Sequence, residues 1–66
     1  MIGDRVKFWD WNRKGEEVLF TGTVIDTFVD PDDRYGRKSA HVKLDAECAE
    51  YENQHMDPYA DELCAV

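Results

Sequence analysis

Between Asp4 and Trp11 the chain alternates, with Val6 and Phe8 on one side of an extended backbone and Lys7, Trp9 and Trp11 on the other. Period two with β-branched and aromatic side chains predicts a strand over residues 4–11, entered through the Gly3-Asp4 turn. Asn12-Arg13-Lys14-Gly15 is polar and closes on glycine, as a hairpin turn or short loop does. The segment from Glu17 to Asp30 is rich in Val, Leu, Phe, Thr and Ile, too long and too β-branched for a short helix. Gly22 sits at its middle between Thr21 and Thr23. A glycine inside a strand pattern marks a bulge, a bend or a close backbone approach. The segment therefore reads as one strongly bent strand, or as two strands meeting near Gly22.

Asp30-Pro31-Asp32-Asp33-Arg34-Tyr35-Gly36 is a turn cluster. A third strand is predicted from Arg37 to Asp45, with Val42 and Leu44 inward and His41, Lys43 and Asp45 outward. Residues 46–56 hold good helix formers (Ala46, Glu47, Ala49, Glu50, Gln54, Met56) but a poor apolar stripe. Asp57-Pro58 predicts a short helical turn, with Asp as its cap and Pro in its first position. Leu63-Cys64-Ala65-Val66 is material for a last short strand.

Three motifs in this series, Gly3-Asp4-Arg5-Val6-Lys7-Phe8, Phe20-Thr21-Gly22-Thr23-Val24 and His41-Val42-Lys43-Leu44-Asp45, resemble the SH3-like small-barrel pattern shared by Tudor and KOW modules. The late Pro58, Leu63 and Val66 resemble the helical turn and short final strand of such barrels. The resemblance implies an all-β fold: a five-stranded SH3-like barrel with a short helical turn near the C-terminus. It spans most of residues 1–66, read as a single domain with the acidic segment 45–66 docked on the barrel. It names an architecture rather than a function, because this fold is widely reused. A Gly-Asp-Arg-Val opening is also found in the plasmid-type dihydrofolate reductases, but their Val-Gln-Ile-Tyr strand is missing here.

Charge divides the chain. All eight Lys and Arg residues lie at or before Lys43 and are balanced there by eight acids, so the net charge of −7 resides in the acids from Asp45 onward. That balance opposes a polyanionic partner. At 66 residues the core is small and the stability margin thin. No apolar run approaches a membrane span. No charged-then-apolar leader follows Met1, so a cytoplasmic protein is expected.

Trp9 and Trp11 carry the sharpest functional signal. With Val6 and Phe8 assigned to the core, the indoles stand on the opposite face of the same strand. Exposed aromatics beside arginines are what protein-binding surfaces are enriched in. In Tudor-like modules, which the chain resembles, aromatics near this strand line a cage for cationic side chains, and Tyr35 is the residue expected to join them. Arg13, Lys14, Arg34, Arg37 and Lys38 concentrate in two loops expected at one rim of the barrel, where a nucleic acid would touch. The acids from Asp45 to Glu62 suggest another role, imitating spaced phosphates against a basic groove of a nucleic-acid enzyme, as a mobile-element protein would.

Catalytic chemistry has little to stand on. Asp30, Asp32 and Asp33 resemble the start of a calcium loop, but His41 stands where its closing glutamate belongs. His41, Cys48, His55 and Cys64 lack the close pairs that zinc sites use, and Cys48 and Cys64 are expected as free thiols. The expectation is a non-enzymatic binding or adaptor module without metal or cofactor. It recognises a protein partner or itself through Trp9, Trp11 and Tyr35. The alternatives are an acidic inhibitor and direct nucleic-acid binding through the rim loops.

Overall fold

The computed structural model describes residues 1–66 as five antiparallel strands in one unclosed sheet. The strands are β1 (Arg5–Trp11), β2 (Glu17–Val29), β3 (Lys38–Leu44), β4 (His55–Met56) and β5 (Cys64–Ala65), in the order β4-β3-β2-β1-β5. A 3-10 helix, Ala60–Glu62, precedes β5. β4 and β5 are the sheet's two edges.

The alternation along β1 and β3 is what their sequences dictate. Val6 and Phe8 are buried on β1, and Ala40, Val42 and Leu44 on β3. Phe20 and Val24 of β2 complete the buried cluster, against which Val18, Cys48, Ala49, Met56 and Leu63 pack. Phe8 and Phe20 stand opposite each other across the β1–β2 ladder, with ring centroids 5.8 Å apart.

β2 is one long strand that serves two partners. Its first part pairs with β1 through Thr23, its later part with β3 from Gly22 onward. Gly22 meets the expectation of a close approach. A Cβ placed there would overlap the carbonyl oxygen of Lys43 and lie 2.7 Å from Val42 Cγ1. The irregularity itself lies elsewhere than expected, three residues on. Val24 pairs with Val42 but Asp26 pairs with His41, leaving Ile25 as the extra residue of a β-bulge.

The C-terminal segment differs most from the sequence reading. The helix formers of residues 46–56 build turns and the short β4 in place of a helix, because their apolar side chains make no continuous stripe to bury. The helical turn begins at Ala60 rather than at Pro58. Its N-cap is Tyr59, with no side-chain cap, so Asp57 does not cap it. Asp57 instead pairs with His41. β5 forms within the predicted last strand, pairing Ala65 with Val6 and Cys64 with Lys7. No helix is long and apolar enough to cross a membrane.

Candidate functional site

β1 displays its two tryptophans outward because Val6 and Phe8 occupy the inner face. Trp9 and Trp11 are each 61% exposed. The β1–β2 register sets Leu19 directly opposite Trp9, and Leu19 is itself 40% exposed. Directly opposed side chains on one sheet face lie within contact range. The result is an apolar patch of Trp9, Leu19 and Trp11 at the hairpin end of the sheet.

The backbone beside this patch is bare but blunted. β5 covers β1 only at Val6 and Lys7, so Phe8–Trp11 has no strand on that side. Two of the N–H groups in this region are nonetheless taken by carboxylates. Trp11 N–H donates to Asp10 Oδ1 at 2.7 Å, and Arg13 N–H donates to Glu50 Oε1 at 3.2 Å. Satisfied donors and nearby charges discourage strand addition along an edge. The chemistry this surface offers a partner lies in its indoles rather than its backbone.

Tyr35 does not join the tryptophans. It is 79% exposed in the β2–β3 loop, beyond the end of β2 that lies farthest from Leu19 and Trp9, in a hollow shared with Phe28 and Tyr59. The expected single basic rim is likewise divided. Arg13 and Lys14 occupy the β1–β2 turn, while Arg34 and Arg37 occupy the β2–β3 loop and Lys38 starts β3. Successive antiparallel connections leave from opposite ends of the strand between them, which separates the two groups. Both groups are also engaged by the C-terminal segment. The Arg13 guanidinium lies 5.1 Å from the Tyr51 ring centroid, and that of Arg37 lies 3.6 Å from the Tyr59 centroid. Arg37 also donates to Asp61 at 3.0 Å.

The acids of this segment are largely in use. Asp45 accepts both guanidinium nitrogens of Arg5, at 2.7 and 2.5 Å, and the Thr21 hydroxyl at 2.7 Å. The Arg5 hydrogen bonds, followed by that of Thr21, lower the Asp45 carboxyl from its ordinary 3.8 to about 2. Glu50, Asp57 and Asp61 also hold internal partners, in Arg13, His41 and Arg37. These pairings join the acidic segment to the balanced body, a role that the charge division alone did not reveal.

The histidines and cysteines do not converge. His41 and His55 stack with centroids 4.8 Å apart and planes 4° apart, and His41 Nδ1 meets Asp57. Cys48 faces β2, its thiol donating to the Thr21 carbonyl at 3.2 Å, while Cys64 lies exposed on β5. Both thiols are free. No group of three or more His, Cys, Asp or Glu side chains is placed to hold a metal ion. Comparison with protein-family models, with curated proteins and with solved structures finds no match.

Proposed function

We propose that this chain is a small non-enzymatic binding module of SH3-like type, whose aromatic β1 face recognises a protein partner. The architectural part rests on the strand order β4-β3-β2-β1-β5, the long β2 shared between two partners, and the 3-10 turn before the last strand. The functional part rests on one observation: both indoles of β1 are 61% exposed on a strand whose core contribution is already made by Val6 and Phe8. An indole left in water on so small a protein is costly to solubility, and contiguous exposed apolar surface marks contact sites. The reading as an acidic phosphate mimic has less support, because four of its seven acids, Asp45, Glu50, Asp57 and Asp61, are spent on internal partners.

The test compares the outer and inner faces of β1. Trp9→Ala and Trp11→Ala should leave the thermal melt nearly unchanged yet abolish capture of a partner identified by mass from native lysate. Val6→Ala and Phe8→Ala should instead destabilise by about 2–5 kcal/mol, the usual cost of emptying a core position. Capture that survives both tryptophan changes would overturn the proposal. Self-association lost with the tryptophans, seen by sedimentation, would make the partner a second copy of this chain.

A further inference from the structure

At the end of β2 remote from the tryptophans the chain forms a second concavity that the aromatic face does not use. Its floor is a row of side chains in register across the sheet: Phe28 of β2 stands opposite Ser39 of β3, and Ser39 is bridged in turn to Tyr59. The bulge at Ile25 creates this row. With strict period two, Phe28 would share a face with Val24 and Val42, whereas the extra residue brings it beside Ser39. Tyr35 and the aspartates Asp30, Asp32 and Asp33 of the following loop line the hollow, and Asp57 adds a fourth carboxylate. It measures about 750 Å3 and opens to solvent.

Several polar groups here lack partners. Ser39 is only 7% exposed, and its hydroxyl, unbonded to other protein groups, opens onto the hollow. Asp33 Oδ1 accepts from Tyr35 N–H at 2.9 Å, but Asp33 Oδ2 is buried with no partner at all. None of the four carboxylates pairs with a Lys or Arg; Arg34 lines the same hollow without reaching them, and Asp57 holds only His41. The acceptors that stay open to a ligand's N–H are the Ser39 hydroxyl and the half-exposed Asp57 carboxylate.

The lining selects among cations. A metal ion is disfavoured, because hard cations need several oxygens converging on one point and no such group forms. The aromatic walls of Phe28, Tyr35 and Tyr59 suit an organic cation instead. Among these, guanidinium combines a flat face for stacking with a fan of N–H donors for carboxylate and hydroxyl oxygens. The molecule already uses that pairing twice within itself, in Arg13 on Tyr51 and Arg37 on Tyr59. A net charge of −7 favours approach by a basic chain. We propose that this hollow binds an arginine side chain presented by a basic polypeptide, through stacking on Tyr35 and Tyr59, donation to Ser39 and Asp57, and the negative charge of Asp33 behind them.

The test is a titration of the 15N-labelled full chain with acetyl-Gly-Arg-Gly-amide, its Lys and Glu counterparts, and spermidine. The arginine peptide should produce saturable shifts at the amides of Asp33, Arg34, Tyr35, Ser39 and Tyr59. The lysine peptide should bind more weakly and the glutamate peptide not at all. The Asp33→Asn, Asp57→Asn double variant keeps an acceptor for Tyr35 N–H and should raise the apparent Kd roughly tenfold. If that variant loses amide dispersion, Tyr35→Ala at the exposed wall takes its place with the same expectation. Shifts that fail to saturate, a lysine peptide equal to the arginine one, spermidine acting while the peptides are silent, or binding unchanged in the variant would each overturn the proposal. The Trp9→Ala and Trp11→Ala chains should bind the arginine peptide normally, which separates this site from the β1 face.

Discussion

Gly22 is buried in β2 against β3, and what excludes a side chain there is mainly backbone. Lys43 cannot move its carbonyl without disturbing a ladder, so Gly22→Val should destabilise by about 1–3 kcal/mol or more through overpacking. A thermal melt unchanged within error would contradict this. Asp45 permits a different measurement. Its carboxyl titrates near 3.8 in an open chain and at about 2 when held by Arg5 and Thr21. A lowered folded value means the contribution is fully present above pH 4 and is lost as pH falls toward 2. Urea midpoints of wild type and Asp45→Asn should therefore differ at neutral pH and converge across that interval. Parallel curves over the whole range would show that Asp45 contributes nothing through its charge.

At the scale of elements, the C-terminal segment is part of the structure and no appendage. Gln54 C=O accepts Leu44 N–H, Pro58 C=O accepts Ala40 N–H, and Val66 N–H donates to Arg5 C=O. Ending the chain after Asp45 would strip both edges of the sheet and uncover Val6 and Leu44. The shortened chain should lose amide dispersion in its nitrogen–proton spectrum; sharp, dispersed peaks would show that β1–β3 suffice. The three long strands were legible in the sequence because Val6 and Phe8 in β1 and Val42 and Leu44 in β3 alternate with outward residues, and β2 is long and rich in β-branched side chains. β4 and the 3-10 turn were not, since two- or three-residue elements carry no period and are fixed by the strands they meet. The bulge at Ile25 was hidden for a related reason: nothing in Val24-Ile25-Asp26 distinguishes the residue left unpaired. Trp9 and Trp11 were legible as an outward pair, but the separation of Tyr35 from them depends on which end of β2 each loop leaves.

For the whole molecule, the acidic segment is tied to the balanced body by the ion pairs Arg5–Asp45 and Arg37–Asp61 and by the Arg13 backbone N–H donating to Glu50. Glu47, Glu52 and Glu62 remain without partners. Exposed pairs of this kind contribute little each and weaken with salt, so the fold rests on its seven-residue apolar cluster. Partner capture through the indoles should accordingly persist in high salt, whereas arginine-peptide binding in the second hollow should weaken steeply. Capture lost on adding salt would place the contact in the charges.

The pairing of β5 with β1 joins residues from nearly opposite ends of the described chain. Loop closure over that distance comes late, and topologies built on such distant pairings fold slowly. During synthesis β1 waits for Cys64 and Ala65 before its second neighbour arrives. Throughout that delay the edge of β1 at Val6 and Lys7 stays unpaired beside its outward tryptophans, an adhesive strand in a crowded solution. The short last strand thus bears on the yield of folded protein in the cell more than its two residues suggest.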